Sequence, residues 1–164
     1  MSISITMEEL LDWTDHERAR WREWLGADAD RLDIPCQREG RLTTVWSVLD
    51  HIFLVERRHL ARLEGGLPPE STGVKHGDVE ALFDYADLVR ADFREYLAEM
   101  DGEDAAEILT FQVSSGPLVT SKRKLALHVV MHEVRHMAQV ALAVRLAGHE
   151  PPGRHDLAFL PAMT

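Results

Sequence analysis

The sequence predicts an all-α fold, a four-helix bundle with long loops and one short extended segment before its last helix. Four stretches of roughly 20 residues place apolar side chains at helical spacing, and glycine- or proline-bearing breaks separate them. Strand-like character is confined to one short segment between the third and fourth stretches. Helices of that length bury their apolar stripes most simply against one another.

The first helical segment opens at Thr6-Met7-Glu8-Glu9, a capping box in which Thr6 caps and Glu9 reaches back to the cap backbone. Leu10, Trp13, Glu17, Trp21 and Leu25 follow at helical spacing until Gly26 ends it. Asp28 to Gly40, with Pro35 and no sustained period, reads as a loop or crossover. The second segment starts near Thr43 or Thr44 and runs to Gly65-Gly66. Its first half, Val45 to Val55, is apolar almost all the way round, the mark of an element buried on more than one side.

Pro68-Pro69 and Gly73 form the next connection. Asp78 caps the third segment, whose Leu82, Phe83, Ala86, Val89, Phe93 and Leu97 line one stripe before Asp101-Gly102. Ile108 to Val119 holds the extended segment, a turn or short hairpin. Ser121 caps the fourth segment, which runs to about Ala147 with Gly148 at its end. Lys122, Arg123 and Lys124 are expected on its solvated outer face. The tail, with Pro151-Pro152-Gly153 and Pro161, is expected to drape over the bundle. Trp13, Trp21, Trp24 and Trp46 are expected in the core. No repeat or second unit interrupts the pattern, so residues 1–164 are expected to form one domain.

Bulk properties narrow the function classes. A net charge of −10 disfavours sequence-independent nucleic-acid binding, which needs lysine and arginine against phosphates. With one cysteine, Cys36, no intrachain disulfide can form. No apolar run approaches the ~18 residues that span a bilayer, and Met1 to Met7 lacks a signal-peptide pattern. A cytoplasmic location without membrane partners is the expectation. Cys36 lies beside Pro35 with no motif around it and is expected to be an unreactive thiol.

The chemistry lies in the histidines. His132 and His136 are one turn apart on the fourth segment, about 40° round its axis. Leu125, His128, Val129, Gln139, Val140 and Ala143 share their side, so the pair falls on the inward stripe, while Glu133, Met137 and Arg145 fall on the expected solvated flank. Two buried imidazoles are costly unless something satisfies them. Backbone and carboxylate hydrogen bonds are one answer; a divalent cation is the other, since neutral imidazole is a preferred ligand of zinc and its neighbours. His51 strengthens the second answer, sitting mid-helix among Val48, Leu49, Ile52 and Val55. His51, His132 and His136 are therefore expected to hold one divalent ion, zinc ahead of nickel, iron or manganese. Three histidines leave a coordination position open, as catalytic sites do.

The segments Leu49-Asp-His51-Ile-Phe-Leu-Val-Glu56-Arg-Arg and His128-Val-Val-Met-His132-Glu-Val-Arg-His136-Met-Ala-Gln139-Val resemble the DinB-like family of damage-inducible, metal-binding four-helix proteins. The loop Phe111 to Thr120 and the tail Pro152 to Phe159 extend the resemblance over nearly the whole chain. It implies the DinB-like four-helix fold and metal ligation at His51, His132 and His136. It places His128 at a pocket or packing position and carries a stress-response association. Met137-Ala138 departs from the Arg-Gly of many members. Some relatives are thiol-dependent transferases or isomerases, so the resemblance implies a metal-bound low-molecular-weight thiol directed at a small electrophile, and a homodimer. The substrate candidates beside the ligands are Arg58, two turns from His51, and His128; Glu133 and Gln139 are the candidates for a catalytic role.

Two other readings compete. His132-Glu133-Val-Arg-His136 fits the H-E-x-x-H pattern of zinc hydrolases, with Glu133 as general base. Gln139 and Leu142 stand where a metzincin requires glycine and histidine, and a short helical chain offers no substrate-binding edge strand. The other is a non-catalytic bundle whose metal serves stability or sensing, with Glu56 or His128 as a fourth ligand.

Overall fold

The structure, a computed structural model, describes residues 5–113, 115–153 and 158. Four long helices dominate: α1 (Met7–Gly26), α2 (Val45–Leu63), α3 (Val79–Glu99) and α5 (Lys122–Leu146). A five-residue helix, α4 (Gly102–Ala106), and a 3-10 turn at Ala29–Asp33 were not expected from periodicity. Both are too short to show a period, though each begins at an aspartate cap, Asp101 or Asp28.

The caps follow local chemistry. Thr6 and Glu9 close the expected capping box, Thr44 caps α2 through Ser47, Asp78 accepts from the Ala81 amide and Ser121 from the Lys124 amide. The extended segment expected before the last helix is a hairpin. Strands β1 (Ile108–Val113) and β2 (Gly116–Ser121) form an antiparallel ladder, Ile108 opposite Ser121 and Val113 opposite Gly116. Gly116, at φ 120°, takes the conformation glycine permits at the hairpin end. β2 runs directly into the cap of α5. Lys122 is accordingly buried, its Nζ 2.6 Å from Glu107 and 3.3 Å from Asp104, whereas Arg123 and Lys124 keep the expected exposure. The tail beyond Gly153, apart from Ala158, lies outside the described residues, and so does the expected draping.

α2 packs on α5 and α3, and α1 on α3 and α5. Two apolar clusters fill the interior, one around Trp21, Phe53, Phe83 and Val140, the other around Leu11, Leu60, Phe93 and Val130. Cluster membership fixes the helix directions: α1 and α5 run from the second cluster to the first, α2 and α3 the opposite way. Trp21 and Trp46 are core residues; Trp13 and Trp24 are half-buried. No helix among the described residues is long and apolar enough to cross a membrane.

Between the clusters each long helix contributes one charge: Arg18, Glu56, Arg90 and Glu133. Glu133, Glu56 and Arg18 are each 2% exposed and Arg90 4%. Arg18 grips Glu133 with a fork, Nε to Oε1 and Nη2 to Oε2 both at 2.7 Å, and also bonds Glu56. Arg90 lies 2.7 Å from Glu133 and 2.8 Å from Glu56. The two cations and two anions balance, which is the condition for burying charge.

Candidate metal centre

The cluster lies where α2 faces α5. His51 Nε2 and His132 Nε2 are 3.1 Å apart. Ring centroids of His132 and His136 are separated by 4.4 Å, and those of His51 and His136 by 5.1 Å. One ligand atom from each lies within 4.8 Å of the other two, and among the described residues this group of three is the one able to hold a metal ion. Tetrahedral zinc with Zn–N of about 2.0–2.1 Å separates its nitrogens by about 3.3 Å, so small ring rotations bring all three to one point.

The electrostatics fit a cation's ligands. Burial, with the neighbouring histidines next, lowers His51 to about 4 and His132 to about 3. His136 is lowered too, mainly by burial. All three are neutral at pH 7, as metal ligation demands. His136 Nδ1 is 2.7 Å from Gln139 Oε1. An amide oxygen only accepts, so Nδ1 carries the proton and Nε2 keeps its lone pair, the usual outer support of a metal histidine. Gln139 thus acts on the site through His136.

The remaining candidates separate. Glu133 was expected on a solvated flank; it is buried in the ionic layer instead, and Met137 is buried with it. α1 and α2 both pack on α5, so its core stripe is Ala126, Val130, Glu133, Met137, Val140 and Val144, and the histidines sit on the shoulder of that stripe. Desolvation, the largest influence on Glu133, acts to raise its pKa. Arg18 and Arg90 outweigh it and hold the carboxyl below its usual range. With both oxygens taken by arginines, Glu133 is not available as a general base. Glu56, the suggested fourth ligand, is committed to the same layer.

A cavity of about 520 Å³ opens onto His51 and His132. The hairpin supplies Val113, Leu118 and Thr120 to its wall, and α5 supplies His128, whose ring centroid is 5.5 Å from that of His132. Arg58 also lines it, half-buried rather than on the surface, and donates to the carbonyls of Pro69 at 2.8 Å and Glu70 at 2.7 Å. Sequence reasoning missed His59 and Arg62. His51, Val55, Arg58 and Arg62 follow at i, i+4, i+7 and i+11, so Arg62 was legible as a member of the same stripe. His59, its ring 5.3 Å from that of His128, carries no such signal.

The DinB family's sequence model matches residues 1–162. The chain belongs to the DinB family. A search among curated proteins finds no match. In this DinB chain His51, His132 and His136 lie together as a group that could hold a metal ion.

A pH prediction follows from the same burial. His59 is lowered to about 3, chiefly by desolvation, alongside His51 and His132. In the unfolded chain these imidazoles take up protons near 6.5, in the folded chain only near 3–4, so stability falls as pH drops through 6.5. Metal-free protein is expected to lose about 1–2 kcal/mol between about pH 7.5 and 6, read from urea midpoints. Below pH 6, Asp15, raised to about 6 chiefly by burial, works in the opposite sense. An unchanged midpoint over the upper window would mean that the imidazoles are solvated.

Proposed function

We propose that this DinB protein is a metal- and thiol-dependent S-transferase or isomerase. In this reading its four long helices form the DinB-type bundle, and one divalent ion, zinc ahead of nickel, iron or manganese, is held by His51, His132 and His136. The observation that carries it is the grouping of three neutral imidazoles, two of which, His51 and His132, line an open cavity.

When bound, the ion supplies the acidity that turns a coordinated thiol into thiolate, the nucleophilic form. The chain supplies the rest. Burial keeps the three imidazoles unprotonated, and Gln139 fixes the ring of His136. The cavity admits a small thiol and its electrophile while the hairpin walls them from bulk water. The chain's own thiol is not a substitute nucleophile: burial pushes Cys36 up to about 11. His128 is a cavity residue in this scheme, and a cytoplasmic homodimer is the proposed setting. A purely structural metal calls for a fourth protein ligand, whereas the group among the described residues numbers three.

Elemental analysis of the untagged protein is expected to find one equivalent of metal per chain. A screen of low-molecular-weight thiols against a fluorogenic electrophile should then give turnover that ceases on chelation and returns with the metal. Failure to retain or take up any divalent ion would overturn the reading; metal without thiol chemistry would leave a binding protein.

A further inference from the structure

The cavity over the histidines has a composition the rest of the molecule does not share. The chain carries 28 acidic residues against 18 lysines and arginines, yet among the described residues the cavity is lined by Arg41, Arg58, Arg62 and Lys124 and by no carboxylate. Elsewhere the arginines gather acids: Arg22 meets Glu80, Asp84 and Asp87, and Arg94 meets Glu8, Asp12 and Asp15.

Arg58 and Arg62 are held differently. Arg58 is fixed by the two backbone carbonyls of Pro69 and Glu70. Arg62 stacks its guanidinium 4.5 Å from the centre of the Phe111 ring and lies 3.1 Å from Nδ1 of His59. Carbonyls, a ring face and a neutral imidazole position a cation but do not cancel its charge. The two arginines are also four residues apart on α2, a spacing at which like charges repel. Burial, then Arg58, lowers Arg62. Such an arrangement costs stability and is relieved by an anion, whose affinity gains from donors fixed in advance.

We propose that this cavity binds an anionic small molecule bearing a carboxylate or phosphate, its charge held by Arg58 and Arg62 with Arg41 and Lys124 at the mouth. A volume of about 520 Å³ suits a metabolite-sized ligand. The assignment deepens the proposed function, naming the charge class of the thiol or electrophile that enters, and it rests on that reading only for the role of the bound molecule. Capture of the anion itself depends on the cationic side chains.

The test is calorimetric titration of the full chain, metal-loaded and metal-stripped, with succinate, pyrophosphate and neutral succinamide. Succinate, pyrophosphate or both are expected to bind, more weakly as salt rises, and succinamide is not. Binding of one anion alone assigns the carboxylate or the phosphate source. Arg62→Gln should weaken anion binding about tenfold and the exposed Lys124→Gln a few-fold, both with unchanged metal content. Lys124→Gln guards against a folding defect in the other variant. Succinamide binding as tightly as succinate would overturn the proposal, as would absence of anion binding at about 10 mM or affinity unmoved in both variants. Anion binding that vanishes with the metal and ignores the variants would overturn it while sparing the metal centre. Variant-sensitive binding by a chain that retains no metal would uphold it while the metal reading fell.

Discussion

Replacing Glu133 by alanine is expected to destabilise the folded chain by about 3–5 kcal/mol, the usual cost of stranding a buried charge. Glu133 accepts from Arg18 and Arg90 together. Removing it leaves Glu56 as the one carboxylate shared by both guanidiniums, with the half-buried Asp15 reaching Arg90 only, in a layer between two apolar clusters. The double change Arg90→Met with Glu133→Leu keeps one cation, Arg18, against one anion, Glu56, and replaces the rest by hydrocarbon. That exchange is often neutral or stabilising, so the double variant is expected to recover most of the loss. Urea unfolding at pH 7 reads both. A loss below about 1 kcal/mol for the single variant would mean that water reaches the layer. The outcome also separates this account from the hydrolase pattern, in which Glu133→Gln would abolish turnover and leave stability unchanged.

The ionic layer marks the limit of what the sequence discloses. Features decided within a few residues were legible. The Thr6–Glu9 box, the caps at Asp78 and Ser121 and the break at Gly26 depend on local hydrogen bonds, and the structure places them as read. The histidine cluster was legible because α5 sets His132 one turn from His136 and the surroundings of His51 are almost wholly apolar. Glu133 was misplaced because a glutamate is ordinarily assigned to solvent. Its burial depends on Arg18 and Arg90, 115 and 43 residues away along the chain. Arg18 carried a local hint, since Leu11, Thr14, Arg18, Trp21 and Leu25 continue one buried stripe. A charge within such a stripe asks for a partner, but nothing in α1 names which helix provides it. Arg58 and Arg62 posed the same difficulty: their stripe was visible, but not that the hairpin and the 69–70 loop would enclose it.

His132→Ala is expected to abolish stoichiometric metal binding while leaving a folded helical protein. Losing an outer support such as Gln139 typically costs 10–100-fold in metal affinity; losing a direct ligand should cost more. The predicted order of metal loss is therefore His132→Ala, then Gln139→Ala, with His128→Ala retaining the full complement. Without metal, His132→Ala should lie within about 1 kcal/mol of the metal-free parent, because it removes an imidazole crowded against His51 and His136. The helices are held by two apolar clusters and the ionic layer, none of which uses the ion. Chelation should thus lower Tm by roughly 5–10 °C through lost ligand linkage and leave helical content intact. Metal titrations and circular dichroism, with and without chelator, give both quantities. Collapse of the helical signal on chelation would make the ion a structural element and end the catalytic reading. Loss of metal in His128→Ala as complete as in His132→Ala would mean that the ligand set has been drawn one turn too far along α5.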